Sequence, residues 1–218
     1  MVSFRFDNFG RGSYYRHVKN RENVGEFNYM KTKFLAEKFA AALPYDAYVR
    51  TGTEEQQRRW GQVYDLAKLN SAQTQLVAGF GRGMKVLVVS GIWCGDCVQQ
   101  CPLLQRIAEA NPGRVEVRLL DRDEHRDLAE EVRVNGGDRV PVALFLAEDF
   151  EFCAAFGDRS LSRYRALAKK QLGAACPLAI VPPDADEMAA TLQDWLNEFE
   201  RVQLMLRLSP RLREKYGD

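Results

Sequence analysis

Trp93-Cys94-Gly95-Asp96-Cys97, directly after the apolar run Val86-Leu87-Val88-Val89, is the stretch whose reading decides the fold. The β-branched run reads as a buried strand, and the residues after Cys97 read as helix. A strand that empties into Cys-x-x-Cys and then a helix puts the first sulfur at a helix N-terminus. There the unpaired backbone N–H groups and the positive end of the helix dipole favour a thiolate. The thiolate is the attacking species, so this placement predicts a depressed pKa for Cys94. Two thiols so spaced can close a small disulfide, with Cys94 attacking a substrate and Cys97 resolving the mixed disulfide. Zinc ribbons use the same spacing, so the pair alone leaves a metal site open. Val140-Pro141-Val142 downstream, with the flanking strand and helix, favours the redox reading.

At 218 residues the chain suits one domain with substantial additions. A net charge of +1, from 31 basic and 30 acidic residues, gives no overall pull toward nucleic acid or a membrane surface. Five cysteines in a chain of this length are not a secreted disulfide framework. Met1–Asp7 lacks the charged start and continuous apolar core of a signal peptide. No apolar stretch approaches the roughly 20 residues that span a bilayer. A reducing cytoplasm is therefore the expected location.

Residues 1–30 carry aromatics without a sustained period, and we expect an arm that docks Phe4, Phe6, Phe9, Tyr14 and Tyr15 on the body. The spacing of Phe34, Leu35, Lys38 and Phe39 predicts a helix over 31–43 that stops before Pro44. Thr53-Glu54-Glu55-Gln56 is a capping box. It opens a long helix with Trp60, Val63, Tyr64, Leu66 and Ala67 on its apolar face, continuing toward Ala78. Gly79-Phe80-Gly81-Arg82-Gly83 precedes a strand, whereas phosphate loops follow one, so it reads as a linker. Strands are then expected at 85–90, 115–120, 142–147 and 152–156, and helices at 95–110, 124–133 and 160–171. Glu148-Asp149 reads as a turn between antiparallel strands. Beyond Pro182-Pro183, Asp184-Ala185-Asp186-Glu187 caps a final helix with Met188, Leu192, Trp195, Leu196 and Phe199 on one face. The expected division is 1–83 for the arm and helical extension, 84–172 for an α/β domain, and 173–218 for a linker and helix packed on the same unit.

This order of elements, Trp93-Cys94-Gly95-Asp96-Cys97 and Val140-Pro141 together resemble the thioredoxin superfamily over roughly residues 84–172. More narrowly, the chain is similar to bacterial thioredoxin-like proteins with a long helical N-terminal extension. The supporting segments are Ser90-Gly91-Ile92-Trp93, Leu120-Asp121-Arg122-Asp123, Asn135-Gly136-Gly137-Asp138-Arg139 and Phe156-Gly157-Asp158-Arg159. The resemblance implies a thioredoxin fold, βαβαββα with a mixed central sheet, carrying added helices at both ends. It implies that Pro141 is cis and lies against the two sulfurs, and that the Val140 backbone pairs with an extended substrate. Gly136-Gly137 would let the chain turn closely into the site. Trp93 would be the surface aromatic beside the dithiol.

Two positions depart from the pattern. Val88 stands where the superfamily carries a buried acid that serves the resolving thiol. Asp96 stands where proline is usual. That carboxylate opposes the Cys97 thiolate if close, accepts its proton if turned inward, or faces water at the helix start; the last is the preferred expectation.

The expected function is thiol–disulfide oxidoreduction on protein or low-molecular-weight disulfides, by a thioredoxin-like protein-disulfide reductase. Cys94 and Cys97 carry the chemistry; Trp93, Gly95, Asp96, Val140 and Pro141 shape and tune the groove. No cofactor or metal is expected, because no flavin or nicotinamide fingerprint appears, and electrons would come from a separate reductase. Cys101 shares a helix face with Cys97 and is weighed as a third redox thiol. Cys153 and Cys176 read as small buried apolar residues. His17 and His125 have no second ligand nearby in sequence, so solvated or capping roles are expected. The competing class is a non-catalytic binding or adaptor module, with a vestigial or metal-holding dithiol under the added helices.

Overall fold

The computed structural model describes residues 21–172 and 187–217. The expected aromatic arm up to residue 20, His17, Cys176, and the break and cap at 182–186 lie outside the described residues. A sheet of order β1-β3-β2-β4-β5 forms the centre. It consists of β1 (Leu43–Pro44), β2 (Met84–Ser90), β3 (Val115–Asp121), β4 (Val142–Leu146) and β5 (Phe152–Gly157). β2 runs parallel to β3, while β1 on β3, β4 on β2 and β5 on β4 are antiparallel. The expected mixed sheet is thus present, with β1 as an additional edge. Pro44 is tolerated there because an edge strand can spare one N–H.

Val88 pairs with Leu119 on one side and Ala143 on the other, at the centre of a strand buried from Val86 to Ser90. The helix α5 (Gly95–Glu109) buries Cys97, Cys101, Leu103, Leu104 and Ile107. Packed with it are α3 (Glu54–Leu66) and α8 (Glu187–Leu208). The α8 stripe is as expected: Leu192, Trp195, Leu196 and Phe199 are buried, and Trp195 meets Phe156 edge-on at 4.8 Å.

Three helical expectations are corrected. The first helix, α1 (Arg21–Ala41), begins well before residue 31, inside the segment read as an arm. The long helix does not run on to Ala78: α3 stops at Leu66, and α4 (Ser71–Ala78) restarts under its own box, in which Asn70 and Gln73 cap each other's backbone. Leu66 is 68 % exposed rather than on the buried face, whereas Trp60 is fully buried. Between α4 and β2 the linker is tied down: Gln203 of α8 pairs both backbone groups of Arg82, at 2.8 and 3.0 Å. The short α2 (Tyr45–Val49), α6 (Arg126–Glu131), α7 (Leu161–Leu172) and α9 (Pro210–Tyr216) complete the described elements.

Candidate active site

The turn Gly91–Cys94 leaves β2 and enters α5, with the Cys94 N–H donating to the Gly91 carbonyl at 2.9 Å. Cys94 is the N-cap of α5, extended (φ −81°, ψ 125°), and is half-buried. Cys97, one turn later, is fully buried, and both are free thiols. The Cys94 thiol points at the Val140 carbonyl, Sγ to O 3.6 Å, and the Val140-Pro141 peptide is cis. Cys94 thereby meets the Val140-Pro141 peptide, with Cys97 one turn behind it.

Close approach holds the proline loop. A Cβ on Gly157 would lie 2.4 Å from the Pro141 carbonyl oxygen, so glycine is required where β5 passes the loop. Of the two glycines before the loop, Gly136 takes a left-handed conformation (φ 71°) and Gly137 does not. At Gly95, by contrast, a Cβ would meet open space.

Trp93 is 50 % exposed, and the Arg122 guanidinium lies 4.7 Å over its ring. Arg122 also donates to the Asp138 carbonyl at 3.0 Å, which ties the charged loop after β3 to the proline loop. Behind the turn, the Trp60 indole N–H donates to the Ile92 carbonyl at 3.0 Å.

Asp96 takes none of the three expected roles. Its carboxylate is clamped by Arg159 (Nη2–Oδ2 2.6 Å) and Arg163 (Nε–Oδ1 3.1 Å). Arg159 and Arg139 also meet Asp158, which is buried and accepts a hydrogen bond from the Tyr164 hydroxyl. Sequence reasoning missed this network. Its one sequence cue is Asp158-Arg159, adjacent opposite charges next to Gly157.

Burial alone would raise the Asp158 carboxyl, but Tyr164 and Arg139 hold it below the usual carboxylate range. A depressed carboxyl contributes stability above its unfolded pKa of about 3.9 and loses it as pH falls through the folded value. Asp158→Asn is therefore expected to lower the urea midpoint at neutral pH and to flatten its fall below about pH 4. Urea titrations across that range check this; parallel curves for the two proteins would refute it.

The thiols depart from the sequence expectation. The hydrogen bond to Cys97 and partial burial push the Cys94 thiol above its ordinary value, against the backbone N–H groups of Cys97 and Asp96. The helix terminus acts in the predicted direction but does not win in the reduced pair. Burial pushes Cys97 up as well, joined by its contact with Cys101. Cys101 is buried beside Ser90. Cys153, expected to be buried, is half-buried and donates to the Glu151 carbonyl at 3.5 Å. His125 stands at the N-cap of α6 without capping it and meets Lys38 at 3.3 Å. Neither sulfur lines the roughly 690 Å³ cavity between α1, α6 and β4–β5, whose walls include Phe34, Leu128 and Phe156. Of the two sulfurs only Cys94 is part-exposed, and Cys97 lies buried behind it.

A mixed sheet that delivers a dithiol to a helix start, opposite a cis-proline, defines a thioredoxin-fold protein. The chain belongs to the Thioredoxin family, whose model matches residues 42–170 and so takes in β1, α2, α3 and α4 but not α1. Among solved structures it is similar to a protein of unknown function, PA1234, from Pseudomonas aeruginosa. That likeness has 21 % identity and a TM-score of 0.60, covering 76 % of this chain and 96 % of that one. An HIV epitope-scaffold matches at 19 % identity and a TM-score of 0.53, covering 78 % of this chain and 93 % of the scaffold. No curated protein matches.

Proposed function

We propose that the chain is a thiol–disulfide oxidoreductase that reduces protein or small-molecule disulfides through Cys94 and Cys97. The observation that carries the reading is the half-buried Cys94 at the N-cap of α5, 3.6 Å from the Val140 carbonyl, with Cys97 buried one turn behind. The Cys94 thiolate attacks one sulfur of the substrate disulfide, and the other sulfur leaves as a thiolate. Cys97 then attacks Cys94 Sγ, the mixed disulfide breaks, and the second substrate thiolate departs. Two electrons have passed to the substrate, and the new Cys94–Cys97 disulfide is reduced by the dithiol of a separate reductase.

Trp93 with Arg122 forms one wall of the groove and Val140-Pro141 the other, and the open space at Gly95 admits the substrate sulfur. Once the Cys94 thiol no longer holds it, the Val140 backbone is free to pair with an extended substrate. Asp96 fixes the helix start through Arg159 and Arg163. We place the protein in the cytoplasm, where a reducing pool keeps the pair active. No described helix is long and apolar enough to cross a membrane.

A second reading, a binding module with an idle dithiol, draws on Val88 and on the two thiols held above their ordinary values. Cys97→Ser separates the two, because the first attack survives while resolution is lost. The variant is expected to accumulate mixed disulfides with extract proteins on a gel run without reductant. A variant that captures nothing favours the binding module.

A further inference from the structure

Beneath the dithiol, polar groups converge inside an otherwise apolar core. Ser90, the last residue of β2, is fully buried; its hydroxyl lies 3.7 Å from Cys101 Sγ and also beside the Cys97 sulfur. The Tyr48 hydroxyl reaches Ser90 from α2 without a hydrogen bond of normal geometry, and Cys101 and Cys97 are near enough to act on it through space. Tyr45, three residues earlier in α2 and near Cys101, has the same unmatched hydroxyl. A buried polar group without a partner costs about 1–3 kcal/mol. Two such hydroxyls on one short helix, one of them beside Ser90, call for a reason. No carboxylate lies on this strand to engage them, since Val86 to Val89 are all apolar core residues.

We infer that Ser90, backed by Tyr48, is a positioning residue for Cys97, its hydroxyl donating to the Cys97 thiolate as that thiolate forms in the resolving step. This rests on the disulfide-exchange reading above. In that step Cys97 Sγ bonds to Cys94 Sγ, and the bond from Cys94 to the substrate sulfur breaks. The electron pair leaves on the substrate sulfur, and the proton given up by Cys97 ends on that departing thiolate. The thiolate arises on a fully buried sulfur, where an unpaired charge is disfavoured. The groups facing it are Cys94 at the N-cap of α5, Cys101 of α5 and Ser90 of β2, with Tyr48 of α2 behind Ser90 and Asp121 of β3 acting on Tyr48. None of these carries a positive charge, so hydroxyl donors are what the anion can draw on. A hydroxyl suits both states, accepting from the resting thiol and rotating to donate to the thiolate.

Ellman's reagent reads the two steps separately in the full-length chain carrying Cys153→Ala and Cys176→Ala. Attack by Cys94 releases the first thionitrobenzoate, and attack by Cys97 releases the second. Ser90→Ala is expected to leave the first phase unchanged and to slow the second at least about tenfold, the effect of one hydrogen bond to a charged group. A merely structural role would alter both phases together. Should Ser90→Ala not fold, Tyr48→Phe removes a single oxygen and is expected to slow the second phase several-fold. A second phase within twofold of the parent in the folded variant overturns the inference. A parent that releases only the first equivalent overturns the disulfide reading itself, and this inference with it.

Discussion

Cys94→Ser is expected to abolish reduction of an insulin-type disulfide, because no other described thiol both meets solvent and faces the proline loop. Cys97 and Cys101 are buried, and Cys153 lies on β5, bound to the Glu151 carbonyl. In the parent protein, alkylation should reach Cys94 before Cys97 below pH 8, since access decides between them. The pH profile follows from the pKa direction. The thiol–thiol hydrogen bond and partial burial raise Cys94. Its alkylation rate should therefore reach half its plateau above about pH 8.5, the midpoint for a free cysteine. Cys97→Ala removes the largest cause of that shift and leaves the backbone donors of Cys97 and Asp96 in place. Its profile should turn over at lower pH than the parent's. Peptide mapping after brief alkylation, with an insulin turbidity assay, gives both results. Residual activity in Cys94→Ser, or an unmoved profile in Cys97→Ala, would remove Cys94 from the role of attacking thiol.

Much of this site was legible because its parts are local or carry fixed signatures. The strand, the Cys-x-x-Cys and the helix after it are contiguous, so one reading of residues 86–110 sets both sulfurs. Val140-Pro141 could be placed against them only through the family resemblance, since nothing in its spacing points to residue 94. The clamp on Asp96 shows the opposite case. Arg159 and Arg163 meet that carboxylate across more than 60 positions of sequence. A single chain offers no periodicity that links such positions, so the acid read as water-facing. β1 escaped for another reason: two residues, one of them proline, show no alternation. The break between α3 and α4 was legible and overlooked. Asn70-x-x-Gln73 is the same reciprocal cap as Thr53-x-x-Gln56, set inside a stretch otherwise read as continuous helix.

The Cys94 shift runs against the sequence expectation because the helix terminus does not act alone. Dipole and N–H donors act through partial charges at the first turn and contribute about 0.3–1 kcal/mol at exposed sites. A neighbouring thiol that competes for the same proton, combined with partial burial, opposes them directly. Sequence spacing states that Cys97 is near; it does not say that the Cys94 thiol hydrogen-bonds to it.

Trp60→Ala is expected to cost about 3–5 kcal/mol in urea unfolding, the range for deleting a large buried aromatic side chain. Trp60 is fully buried, its ring lying 5.6 Å from Tyr48 and 6.0 Å from Tyr45. Tyr45 in turn stacks on Tyr64 at 5.5 Å, and the Arg106 guanidinium of α5 sits 3.8 Å over Tyr64. The extension is therefore joined to α5 by a continuous aromatic layer, and we propose that it folds as one unit with the sheet. A whole domain has only about 5–15 kcal/mol of net stability, so this one side chain carries a large fraction of it. The loss should also reach the chemistry. Trp60 holds the Ile92 carbonyl two residues ahead of Cys94, and without that donor the turn carrying the sulfur loses its anchor. Trp60→Phe keeps an aromatic ring and part of the apolar volume but loses the N–H donor, so its expected signature is a smaller stability loss with a comparable fall in activity. A chain beginning at Met84 should be insoluble or melt far below the full chain, since α5 and β3 would lose their cover together. If that shortened chain is soluble, monomeric and equally stable, the extension is an independent module, and the binding reading of the dithiol domain gains.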